Sequence, residues 1–143
     1  MHYRHAQTGT FIISGMAFVF VMLFVIPLPM PLFALAIAVV MLFTAMFYRL
    51  TVEIQSDVLT CSFGIGLIRR NIPLTDIEQA LSVKNPWLMG WGIRWLPGRY
   101  WLWNVSGLLA VELTMTNGKR FRIGTDEPEK LVNAIESAKT MYA

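Results

Sequence analysis

Two apolar runs dominate the first third of the chain, Thr10 to Ile26 and Leu32 to Tyr48, and no Asp, Glu, Lys or Arg occurs between Arg4 and Arg49. Each run is about 17 residues, which as helix is roughly 25 Å, just enough to span a bilayer. Pro27, Pro29 and Pro31 separate the runs. Prolines remove amide donors and oppose helix continuation, so a turn is expected there. The pattern predicts a transmembrane helical hairpin within residues 1–49, with spans at about 10–26 and 32–48. A cleaved signal peptide is a competing reading, with Arg4 as its basic end and Ala34-Leu35-Ala36 as its cleavage pattern. The apolar run continues past Ala36 to Tyr48, which a mature soluble N-terminus would not do. A buried soluble hairpin is opposed by the small remainder of the chain, which could not cover two helices apolar on every side.

Ala34 and Ala38 have small-xxx-small spacing and Ala45 follows on the same face, which suits close approach of the first helix. Neither span holds an ionisable side chain, so the expected role is anchoring rather than transport. Arg4 before the first span and Arg49, Arg69 and Arg70 after the second place both termini in the cytoplasm.

From Thr51 the period changes to alternation. Val52 and Ile54 alternate with polar neighbours, Ser56-Asp57 reads as a turn, and Val58 to Phe63 follows as a second strand. Gly64 and Gly66 mark a bend, Leu67 to Leu74 is extended, and Thr75-Asp76 turns the chain into Ile77 to Val83. Val111, Leu113 and Met115 alternate up to Asn117-Gly118, after which Lys119 to Ile123 resumes. A three-residue loop with Gly118 left-handed pairs Leu113 with Phe121 and Val111 with Ile123, whereas a two-residue turn would set Leu113 against Arg122. The segment 126–140 predicts a helix, with Asp126 as a capping residue, Pro128 in the first turn and Glu129 at capping-box spacing. Leu131, Ala134, Ile135, Ala138 and Met141 form its apolar face, which should close on the sheet. Residues 50–143 thus form a water-facing β-rich domain with a helical lid.

Composition supports this division, since 55% of residues are hydrophobic while nearly all charge lies after residue 48. The net charge of +3 is small and dispersed, so no nucleic-acid partner is expected. A single cysteine, Cys61, excludes an internal disulfide and a thiolate zinc site within one chain. His2 and His5 sit in a terminal segment expected to be loosely ordered. Without a histidine in the domain, a nucleophile motif or a phosphate loop, no enzyme activity, catalytic residue, cofactor or metal is expected. Glu112 and Cys61 read as structural or surface residues.

Several short strands closed by one C-terminal helix is also the plan of pleckstrin-homology-like (PH-like) barrels. The stretches Gly90-Trp91-Gly92-Ile93-Arg94, Trp103-Asn104-Val105-Ser106-Gly107, Ala110 to Leu113 and Asn117 to Pro128 resemble those of small bacterial membrane proteins with PH-like domains. The resemblance spans roughly residues 50–140. It implies an α+β architecture, a two-helix transmembrane hairpin followed by a seven-stranded barrel with a capping helix, in the bacterial cytoplasmic (inner) membrane. It implies no reaction or ligand.

All five tryptophans fall between Trp87 and Trp103, among Lys84, Arg94 and Arg99. Indole favours the headgroup region, and basic side chains gain about 1 kcal/mol each from anionic lipid. Trp87, Trp91 and Trp95 are therefore expected against the membrane surface, with Arg94 and Arg99 at phosphate level. The competing reading packs these aromatics in the domain, as expected for Trp101 and Trp103 on a strand. Lys119, Arg120 and Arg122 form a second candidate, a basic patch for a phosphorylated headgroup, unless they are solvated strand-face charges. The expected partners are membrane lipids, for a membrane-anchored binding or scaffold module. The alternative is a membrane-protein partner, for an assembly subunit of a larger complex.

Overall fold

The computed structural model describes residues 2–142. Among these the chain is α+β, with nine strands in two sheets, two N-terminal α-helices and one C-terminal α-helix. The order is β1 (His2–Thr8), α1 (Thr10–Val25), α2 (Met30–Phe47), β2 (Arg49–Gln55), β3 (Val58–Phe63) and β4 (Ile68–Pro73). It continues with β5 (Ile77–Lys84), β6 (Gly92–Leu96), β7 (Tyr100–Asn104), β8 (Leu109–Met115), β9 (Arg120–Gly124) and α3 (Pro128–Tyr142).

The N-terminal segment is not loose. It forms β1, paired antiparallel along β2 from His2↔Gln55 to Thr8↔Arg49, so the helical pair is an excursion between two neighbouring strands. At the ladder's end Gly9 N donates to Tyr48 O at 2.7 Å, which brings the start of α1 against the end of α2. His5 extends the tie by pairing with Asp126 and Glu127 at the entry to α3.

Both N-terminal helices stand clear of the sheets, and neither has a buried residue among the described residues. They pack on each other, with Phe24 edge-on to Phe33 at 5.3 Å and with Met16, Val40 and Thr44 along one groove between them, while Ile12 packs against the core of the domain. Ala34 and Ala38 are exposed, so the small-residue face expected to meet α1 lies elsewhere on α2. The bulkier stripe wins because the helices pack through interdigitating side chains rather than backbone contact. Of the two expected spans, α2, of 18 residues, is the one among the described residues that is long and apolar enough to cross a membrane by length and composition, and α1 is a shorter apolar helix of 16. α1 ends at Val25 because Ile26, before Pro27, is extended, as residues preceding proline prefer.

The sheets run β1-β2-β3-β4 and β5-β8-β9-β7-β6, and they do not close into a barrel. At the corner between β4 and β5, Pro73 lacks an amide donor and the 3-10 turn Leu74–Asp76 redirects the chain. β6 and β7 then lengthen the second sheet instead of sealing it, with β7 parallel to β9. The core lies between the inner faces, where Ile54, Leu59, Cys61, Leu113 and Ile123 are fully buried. α3 covers it with Leu131, Ala134, Ile135 and Ala138, while Met141 remains exposed. Thr125 Oγ1, rather than Asp126, accepts from the amide of Glu127 at the start of α3. The β8–β9 hairpin has the expected register, Leu113↔Phe121 and Val111↔Ile123, with Gly118 at φ 81°.

A row of aromatics joins the helices to this core. Phe43, Phe47, Phe63, Trp103 and Phe121 follow one another with ring centroids 4.7, 5.4, 5.1 and 5.6 Å apart. Such offset and edge contacts each add about 1 kcal/mol beyond area burial.

Cys61 is fully buried, and burial pushes its thiol up to about 12, with the Arg70 guanidinium opposing. Tyr3, whose hydroxyl is buried without a partner among the described residues, is likewise pushed up to about 12 by burial and by the charges of Glu127 and Asp126. Both groups fold best protonated. Their contribution to stability is whole below their ordinary values of 9.0 and 10.0 and is lost as pH rises towards 12. Tyr3→Phe removes the unpartnered hydroxyl. It should leave the melting temperature at neutral pH unchanged or higher, and it should flatten the fall of melting temperature above about pH 10.

Candidate functional site

The register gives the β5–β9 sheet a polarity. Lys84 pairs with Leu109, Ala110 with Gly124 and Gly92 with Asn104, so these residues share one end. That end meets the helices. Gln7 Nε2 donates to Ser106 O, the hydroxyls of Thr10 and Ser106 share a hydrogen bond, and Trp91 stacks on Phe11 at 4.2 Å with the rings 9° apart. The other end carries the β6–β7 turn at Pro97-Gly98-Arg99 and the β8–β9 turn at Asn117-Gly118-Lys119.

The expected tryptophan and arginine set is divided by this polarity. Trp91 and Arg94 lie at the helix end, where they line a cleft of about 470 Å³ with Ile12, Phe43, Phe47 and Ile93. Gly90 turns the chain there at φ 67°, a left-handed conformation that favours glycine. Trp87 and Leu88, on a 3-10 turn one glycine before Trp91, are 73% and 71% exposed. Trp95 and Arg99 belong to the far end, since the four steps from Gly92 to Leu96 carry the strand about 13 Å away.

A turn on the other sheet also meets the helix base. Gly64 N donates to Arg49 O at 2.8 Å, and a Cβ on Gly64 would collide with the carbonyl oxygens of Ala45 and Met46. The same turn presents Ile65 and Leu67, 60% and 70% exposed. Arg49 lies over the Tyr48 ring, and Arg69 is anchored to Gly66 O. Aliphatic Ile65 and Leu67 escaped sequence reasoning. Two exposed apolar residues flanking Gly66, in the turn after β3, were the available signal.

The second candidate also divides. Lys119 and Arg120 join Trp95, Arg99 and Trp101 around a cleft of about 420 Å³ at the far end. Trp101 is 42% exposed, whereas Trp103 is buried in the core. Arg122 is neither a patch residue nor a solvated strand charge. Its Nε donates to Glu112 Oε2 at 2.6 Å, its Nη1 to Asn85 Oδ1 and Tyr100 Oη at 2.9 and 3.0 Å, and it lies 3.8 Å from the Tyr100 ring centroid.

The reason lies in the topology. β5 and β6 occupy opposite edges of their sheet, so residues 85–91 must pass four inter-strand steps, about 19 Å. Asn85 reaches Arg122 on the central strand, so this connection begins over the sheet face opposite the core and buries what alternation would leave in water. Glu112 is correspondingly structural. Glu112→Ala strands Arg122 and should cost about 3 kcal/mol in denaturant unfolding. Joint Glu112→Leu and Arg122→Met changes should recover most of that loss.

Among the described residues, no group of three or more His, Cys, Asp or Glu side chains could hold a metal. Comparison of the chain with models of known protein families, with curated proteins and with solved structures gave no match.

Proposed function

We propose that this chain is a membrane-anchored module in which α1 and α2 cross the cytoplasmic membrane as a hairpin and hold the two-sheet domain on its inner surface. One observation carries the reading: two apolar helices with no fully buried residue rise from a base that also bears exposed Ile65, Leu67, Trp87 and Leu88. Water would penalise such a surface at about 25 cal/mol per Å², whereas a bilayer and its interface favour it. Arg49, Arg69 and Arg94 lie around this base with no carboxylate in ion-pair range among the described residues, which suits anionic lipid phosphates. Because β1 precedes α1 and pairs with β2 beyond α2, a hairpin that crosses must return to the same side. The arginines after the hairpin make that side the cytoplasm. A C-terminal helix covering the sheets is compatible with the PH-like plan, although the two sheets are open.

The role that follows is binding or scaffolding at the bilayer surface, with Trp87, Trp91 and Arg94 as lipid-contacting residues. A second reading, an assembly subunit of a larger membrane complex, is favoured by exposed Ala34 and Ala38 on α2, a face on which a foreign helix could approach closely.

The test is indole quenching in liposomes by lipids bearing a nitroxide at the headgroup. Part of the fluorescence should be quenched, and Trp87→Ser should reduce the quenched part. Trp95→Phe should leave it unchanged. Absence of quenching, or quenching dominated by Trp95, would refute the arrangement.

A further inference from the structure

The far end of the β5–β9 sheet carries a second, separate feature. Trp95 and Trp101 are register partners on β6 and β7, with ring centroids 6.1 Å apart, and both are exposed. They continue the inner-face row of Trp103 and Phe121 beyond the part of the core that is closed. Exposed paired indoles are costly in water unless something covers them.

Cations surround this pair. Arg99 and Lys119 stand on the two adjoining turns and have no carboxylate in ion-pair range among the described residues. Arg120, on the opposite face of the sheet, is engaged with Glu112 at 3.6 Å, while Arg70 lies 4.5 Å over Phe121, the register partner of Trp101. Within the turns, Arg99 N donates to Leu96 O at 3.0 Å and Lys119 N donates to Asn117 Oδ1 at 3.0 Å.

The third element is backbone. β6 is the last strand of its sheet, so its outer edge offers unpaired amides and carbonyls beside Trp95. A free edge, exposed aromatics and unneutralised cations match the way an extended peptide adds to a sheet, with main-chain bonds for affinity and charge for selection. Phospholipid of the anchoring bilayer fits less well, because the site lies about 13 Å along β6 from the helix end.

We infer that the outer edge of β6, with the adjoining cleft between the β6–β7 and β8–β9 turns, is a docking site for an acidic, extended polypeptide segment that pairs with β6, covers Trp95, and reaches over Trp101 to Arg99 and Lys119. This goes beyond the anchoring role and rests on the geometry of the domain alone.

The full-length protein in neutral detergent micelles is titrated with a peptide of alternating Glu and Val, read by indole fluorescence. Micelles contain no anionic lipid, so the result is independent of whether the Trp87 and Trp91 region contacts a bilayer. Saturable binding that weakens with salt is expected, and the same peptide with Lys for Glu should not bind. Arg99→Glu combined with Lys119→Glu, both at exposed turn positions, should weaken binding roughly a hundredfold. The melting temperature of the double variant reports that the fold is intact, and the single Lys119→Glu variant, expected to lose roughly tenfold, serves if it is not. N-methylation of alternate peptide amides should abolish binding if β6 is the pairing edge. The proposal fails if the Glu-Val peptide does not bind, if the charge reversals leave its affinity unchanged, or if N-methylation has no effect. It also fails if inositol hexakisphosphate or single-stranded polyuridine binds the cleft more tightly than the peptide.

Discussion

The short ladder between β1 and β2 is the constraint on which the molecule's layout depends. Seven paired positions bring Thr8 opposite Arg49, and the next hydrogen bond, Gly9 to Tyr48, joins the two helix bases. The helices therefore leave and re-enter the domain at neighbouring points, without a free linker to decouple them. The Gly64 turn against the carbonyls of Ala45 and Met46 adds a second point of attachment, and the aromatic row from Phe43 to Phe121 adds a third. Three attachments of different kinds fix direction as well as distance. The end of the domain that faces the helices is set by the fold itself.

This constraint gives the β5–β9 sheet its division of labour. Its helix end holds the tight packing of Trp91 on Phe11 and of Ser106 on Gln7 and Thr10. Its far end holds two tight turns and an uncovered pair of indoles. Between them sits the Glu112–Arg122 pair, bonded on its other donors to Asn85 and Tyr100. A nearly enclosed ion pair contributes little net stability over apolar residues of the same shape, but each partner forbids arrangements that would strand the other. Here that specificity fastens the β5–β6 connection to the middle strand. Without it, the segment leading to Trp87 and Trp91 would lose its point of departure.

The parts legible in the sequence are those where one period runs long enough to identify itself. The two apolar runs, the buried face of α3 and the β8–β9 register were readable because Leu113 can meet Phe121 or Arg122 but only one pairing keeps apolar side chains together. β1 was not readable: its inward positions are Tyr3, His5 and Gln7, none aliphatic, and their partners lie as far away as Asp126 and Ser106. The tryptophan cluster misled for a geometric reason. Residues close in sequence on a strand are carried apart by about 3.3 Å each, so Trp91 and Trp95 reach different ends while Trp95 and Lys119 converge. Arg122 misled because alternation identifies two faces of a strand but not whether a crossover will cover the second. Barrel closure was equally beyond local pattern, since it depends on whether the edges β4, β5 and β6 find partners.

In the proposed anchoring, helix length would be tied to the shape of the base. At about 1.5 Å per residue, the 16 residues of α1 and 18 of α2 give about 24 and 27 Å, short of the roughly 30 Å of a typical hydrocarbon core. A short span is accommodated by local thinning of the bilayer or by drawing its flanks inwards. At the loop end, Pro27 to Pro29 has no charge to resist entry. At the domain end, Ile65, Leu67, Trp87 and Leu88 extend the apolar surface beyond Gly9 and Phe47, and Tyr48 with Arg49 begins the polar boundary. In that arrangement the exposed turns would supply the depth that the helices lack, and anchor and surface contact would form a single apolar body. On this geometry a thicker bilayer would pull the domain more firmly onto the membrane, because the mismatch can be relieved only by sinking these turns.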